Sequence, residues 1–139
     1  MNQIRVQQQP SDFTCVHACL AMIVDVPVRE IIEKYGEERT GMWDLTLRRA
    51  LQDYGFQSAQ FDSNNLPPVG DFIVSVPSLN VPGGFHAIVI QMDYPNWSVI
   101  DPQAFREGKK YYISGQSKDP NAFQINVWEK PLMCWKSWA

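Results

Sequence analysis

A cysteine acts as a nucleophile only as a thiolate, and near neutral pH a thiol ionises when it stands at a helix N-terminus beside an imidazolium. Cys15 meets the first condition. It opens an apolar run, residues 15–24, that reads as a buried helix, with Ser11, Asp12 and Thr14 ahead of it as candidate caps. The imidazole must come from elsewhere, and His86 opens the apolar strand pattern Ala87-Ile-Val-Ile90 just after the turn Pro82-Gly83-Gly84. A strand end holds a side chain firmly and still leaves it accessible. Asp101 follows Ser98-Val-Ile100 and precedes Pro102, where its carboxylate can orient the imidazole through the ring's second nitrogen. If residues 86–92 and 97–101 form a hairpin through Asp93-Tyr-Pro-Asn96, paired positions sum to about 187 and His86 meets Asp101 at its open end. Gln9 and the Cys15 backbone N–H are candidate donors to a developing oxyanion. The chemistry these residue types support is acyl transfer at an amide carbonyl.

Elements able to hold such a set are readable on both sides. After the first helix, Asp25-Val-Pro27 is a break, and Val28, Ile31, Ile32 and Tyr35 recur at helical spacing up to Gly36. A third helix is expected over residues 44–54, with Asp44 as N-cap and Gly55 as its stop. The period then changes. Residues 56–61, 71–76, 86–92 and 97–100 read as strands between Pro, Gly and Asn turns, and 109–114 with 123–128 as a last strand pair. Helices first and strands afterwards predict an α+β domain, with N-terminal helices packed on a C-terminal antiparallel sheet.

At 139 residues, 45% of them apolar and 19% charged, the chain is expected to be one packed domain, residues 1–139. A net charge of −3 with scattered Lys and Arg disfavours nucleic acid as a partner. Neither a leader-type apolar stretch near Met1 nor a run of about 20 apolar residues is present, so a cytoplasmic protein without a membrane partner is expected, unless it is exported as an effector by a signal-independent route. An odd count of three cysteines, Cys15, Cys19 and Cys134, argues against a disulfide framework.

Three stretches together resemble a known family: residues 9–22, Gln9-Pro-Ser-Asp-Phe-Thr-Cys15-Val-His-Ala-Cys-Leu-Ala-Met22; Phe85-His86-Ala-Ile-Val-Ile90; and Val99-Ile-Asp101-Pro102. They are similar to the papain-like cysteine peptidases that cut double-glycine leaders from bacteriocin precursors, and to their stand-alone relatives. Members place a glutamine six residues before the nucleophile, as Gln9 stands to Cys15, and residues 40–56 resemble the family's Gly-x-Ser-plus-helix segment. The resemblance implies a papain-like fold and peptide-bond hydrolysis without a cofactor. It assigns Cys15 as nucleophile, His86 as general base, Asp101 as its orienter and Gln9 as oxyanion donor. Thr14-Cys15-Val16 departs from the usual Asp-Cys-Gly, and His17 replaces a small residue, which is expected to alter the cleft wall.

Plainer readings compete for each residue. Cys19 and Cys134 are expected to be inert core thiols. His17, two positions after Cys15 on a helix, points to another face and is expected to cap, pack or line the cleft. Asp101 can be a turn aspartate before proline. Cys15, His17 and Cys19 lack the spacing of a structural zinc site, so no metal is expected. Gly83-Gly84 reads as a turn needing positive φ rather than as a cleavage site within the chain. The same apparatus serves a toxin or effector that deamidates or transglutaminates a protein, and an inactive papain-like module that holds a peptide is the non-enzymatic alternative. A peptide or protein substrate is the expected partner; the sequence carries no signal for oligomeric state.

Overall fold

The computed structural model describes residues 3–37, 42 and 45–137. Helix α1 (Cys15–Val24) is apolar on nearly every side, and Val16 through Ile23 are all buried. Pro27, at φ −61, leads into α2 (Val28–Tyr35), which stops at Gly36 with φ 84. Helix α3 (Leu45–Asp53) ends before Gly55, at φ 80. The proposed Asp44 cap and residues Gly41, Trp43 and Trp138 lie outside the described residues.

The strands are β1 (Phe56–Gln60), β2 (Val69–Pro77), β3 (Phe85–Asp93), β4 (Asn96–Ile100), β5 (Tyr111–Ile113), β6 (Ala122–Gln124) and β7 (Glu129–Lys136). Five form an antiparallel sheet in the order β1-β7-β2-β3-β4. The helices cover one face, packing Leu20, Leu47 and Leu51 against Ile73, Val89 and Leu132. The opposite face, with Phe72, Val74, Ile88 and Ile90, packs against Tyr112, Ile125 and Trp128 from the segment between β4 and β7. Coverage on both faces explains why β2 and β3 read as near-continuous apolar runs rather than alternating ones. The expected α+β arrangement of helices on an antiparallel sheet is therefore observed.

Two expectations need correction. The β3–β4 turn is the two-residue Tyr94-Pro95, and pairing runs from Asp93↔Asn96 to Val89↔Ile100, so the hairpin is centred one residue later than expected. The last strand pair is shorter than read and parallel: β5 and β6 form a separate two-stranded sheet. Strand β7 was not anticipated at all, although it lies between β1 and β2. Pro131 hides it, because proline inside an apolar run argues against a central strand. Here it is accommodated at a β-bulge. Ile73 pairs with Leu132 but Ser75 with Glu129, so β7 carries one extra residue there, and Lys130 takes the left-handed value φ 51. Among the described residues, no helix is long and apolar enough to cross a membrane.

Strand β7 ties both halves of the sheet, so its inward side chains should matter far more than exposed apolar ones. Leu132→Ala should lower the unfolding free energy by about 2–5 kcal/mol in urea titrations. Phe105→Ala, 64% exposed, should change it by less than about 0.5 kcal/mol. Equal effects would mean that β7 does not anchor the core.

Candidate active site

The site begins at the first turn of α1. Thr14 is the N-cap residue, but its hydroxyl faces backward to Ser11, accepting from the Ser11 N–H at 3.1 Å, and it makes no cap bond into the helix. The first helical bond runs from Ala18 N–H to Thr14 O at 3.0 Å. The N–H groups of the first turn are thus not covered by a side-chain cap, and they leave the positive end of the helix dipole at Cys15.

His86 opens the covered part of β3, and its Nε2 lies 2.7 Å from Asp101 Oδ1. Both side chains are buried, His86 at 7% exposure and Asp101 at 2%. Cys15 lines the same cleft as His86, near enough for the imidazole to lower its thiol, and with Nε2 on the carboxylate, Nδ1 is the nitrogen left to face it. The structure thus brings together the three residues that the sequence singled out.

Burial pushes the Cys15 thiol up, but the hydrogen bond from His86, its positive charge and the N–H groups of Ala87 and Val16 together bring it below its ordinary 9.0. Burial likewise disfavours the His86 imidazolium, and hydrogen bonds to Asp101 and Cys15 outweigh it, holding the ring up to about 9. The thiol is thus lowered and the imidazole raised, the two directions that a thiolate–imidazolium pair requires. Because the folded value of His86 exceeds 6.5, its pairing stabilises the fold fully below that pH, and the contribution disappears as pH rises through about 9. Cys19 and Cys134 differ: both are buried, and burial raises their thiols.

Gln9 sits beside the Asp101 turn, its backbone N–H donating to Pro102 O at 2.9 Å. Its carboxamide is buried, with Nε2 donating to Ser11 O at 2.8 Å and Oε1 without a partner among the described residues. Among the described residues Nε2 has that one acceptor, and Gln9 is not among the residues of the cleft wall. His17 does not line the cleft either. It is fully buried, and its Nε2–H donates to Gly36 O at 2.6 Å at the end of α2, so of the expected roles it packs and caps, and of the sequence departures around Cys15 it is Val16 that reaches the cleft wall. Among the described residues, no three His, Cys, Asp or Glu side chains gather as metal ligands.

The thiol and imidazole face a cleft of about 390 Å³. Phe13, Val16, Ser75 and Phe85 contribute to its walls, together with Gly83-Gly84, where φ 75 at Gly83 confirms a turn. Residues that the sequence reading missed hold the Asp101 side of the site. Asp101 accepts from the N–H groups of Gln103 and Tyr112, each at 2.8 Å. The Tyr112 hydroxyl donates to Pro77 O at 2.7 Å. Asn80 Nδ2 donates to Gln103 Oε1 at 2.7 Å and Lys110 O at 2.9 Å, while Lys110 N–H donates to Asn80 Oδ1 at 3.0 Å. Asn80 and Tyr112 thereby fasten the turn leading into His86 to the loop following Asp101. No local motif announces them, because each acts across a long sequence separation.

Thiol alkylation tests this electrostatic arrangement without a substrate. With iodoacetamide near pH 6, peptide mapping should find label on Cys15 and not on Cys19 or Cys134. In His86→Ala the pH of half-maximal labelling should rise by about a unit or more. Equal labelling of Cys134, or an unmoved profile in His86→Ala, would leave Cys15 an ordinary thiol.

No protein-family model and no curated protein sequence matches the chain. Among solved structures it is similar to the crystal structure of a double glycine motif protease from an AMS/PCAT transporter in complex with the leader peptide. The TM-score is 0.52 and the identity 20%, over 72% of this chain and 74% of that one. At that identity the likeness speaks to the fold alone, and it agrees with an α+β arrangement of helices on an antiparallel sheet.

Proposed function

We propose that residues 1–139 act as one papain-like cysteine peptidase domain, hydrolysing a peptide bond without metal or cofactor. One observation carries the reading: a buried His86–Asp101 pair at 2.7 Å that shares a cleft wall with Cys15, which stands at an uncapped helix N-terminus. A helix start, an imidazole and a carboxylate rarely converge on one thiol unless the thiol is to be ionised. The papain-like fold and its likeness to a double glycine motif protease solved with a leader peptide support a peptide substrate.

In the proposed reaction the Cys15 thiolate attacks the carbonyl carbon of the scissile amide and forms a tetrahedral intermediate. The Cys15 N–H stabilises its oxyanion, and Gln9, buried behind the cleft wall, joins it once its carboxamide turns toward the bound carbonyl. The His86 imidazolium protonates the departing amine as the C–N bond breaks, leaving a thioester on Cys15. Neutral His86 then takes a proton from water, which attacks the thioester and releases the acid, and the proton returns the thiolate–imidazolium pair. Asp101 holds the ring in the orientation that both transfers require.

Peptide-library cleavage tests the reading. Cys15→Ala and His86→Ala should each abolish turnover, their combination should be no worse, and Asp101→Ala should retain a residue of activity. Gln9→Ala should lower kcat by about 10²–10³-fold. The pH profile should rise as the thiol ionises below its ordinary 9.0 and fall again near pH 9 as His86 loses its proton. Full activity in His86→Ala would exclude this mechanism.

A further inference from the structure

Register decides which side chains of β7 enter the cleft. Leu132 and Cys134 pair with Ile73 and Asp71, and Leu132, Cys134 and Ile73 lie in the core under the helices. Continued without interruption, that ladder would set Lys130 opposite Ser75 and turn Glu129 to the other face, since a one-residue slip reverses every side chain. The bulge prevents this. The extra residue, with Lys130 at φ 51, brings Glu129 opposite Ser75, and Ser75 is opposite Ala87 on β3. Glu129, Ser75 and Ala87 thus form one row across three strands, and all three line the cleft of Cys15 and His86. Ala87 follows His86 directly on β3, so the row ends beside the residue that faces Cys15 across the cleft.

A lysine in the left-handed region is strained and persists only when its surroundings impose it. Here the strained residue is the one that turns a carboxylate into the cleft. No hydrogen bond or ion pair engages that carboxylate among the described residues. The other acidic side chain of the wall, Asp12, is already bound by Arg106 at 2.9 Å and Lys109 at 3.1 Å. Lys130 also borders the cleft, as the bulge residue rather than as a member of the row.

We propose that Glu129 is a specificity-determining residue that selects peptides carrying a Lys or Arg side chain on the segment crossing the row Glu129–Ser75–Ala87. This rests on the peptidase reading above and names a feature of its substrate.

The test uses matched peptides with Arg, its neutral isostere citrulline, or Glu at each successive position around a bond that the protein cleaves. At one position wild type should prefer Arg over citrulline by about fivefold to tenfold in kcat/KM, and the preference should shrink with added salt. Glu129→Gln should bring that ratio close to one, and Glu129→Lys should reverse it toward Glu. An Arg preference that survives in Glu129→Gln, equal cleavage of all three peptides at every position, or a preference for Glu that Lys130→Met abolishes would each overturn the inference while leaving the peptidase intact. Absence of any cleavage by wild type, with Cys15 still selectively alkylated, would instead overturn the peptidase reading and this inference with it.

Discussion

A carboxylate 2% exposed is the constraint around which the molecule is arranged. An isolated charge so placed would carry a desolvation penalty of several kcal/mol. Asp101 avoids it through three donors: His86 Nε2, Gln103 N–H and Tyr112 N–H. Each donor binds a different part of the chain to one point. The imidazole brings in the start of β3, Gln103 fixes the turn after β4, and Tyr112 brings in β5. The same satisfied carboxylate raises His86, and the imidazolium in turn lowers the Cys15 thiol. Fold and chemistry meet in a single network, in which removal of one member leaves buried polar groups unmatched.

Local signals are why the reacting groups were legible in the sequence. Cys15 begins an apolar helix, His86 begins an apolar strand, and Asp101 ends another before a proline; each is a short-range pattern. Their meeting was inferred from hairpin arithmetic that proved one residue off in its centre, yet the result survived because the strand ends still converge. His17 shows the opposite case. Helical geometry turned it away from Cys15, as expected, but which surroundings it would find depended on where α2 ends, and Gly36 O is 19 residues away.

What stayed illegible is held by pairing at a distance. Asn80 uses its carboxamide as a strand residue would use its backbone, satisfying both the N–H and the C=O of Lys110. Nothing near residue 80 signals that partner. Strand β7 was obscured by Pro131, and its place between β1 and β2 depends on matching residues 56–60 and 69–77, far away in the chain. Gln9 lies between these cases: its offset from Cys15 was visible, whereas its burial and its bond to Ser11 follow from the turn that enters α1.

The central position of β7 shapes how the chain must reach this state. Phe56 waits for Lys136 and Ile73 for Leu132. Contacts of such large sequence separation require the intervening loop to be closed before they repay its entropy, which places the molecule toward the slow, high-contact-order end of folding. Until residues 129–136 insert, β1 and β2 each present an unpaired edge to the slot between them, a template for any extended strand of suitable pattern.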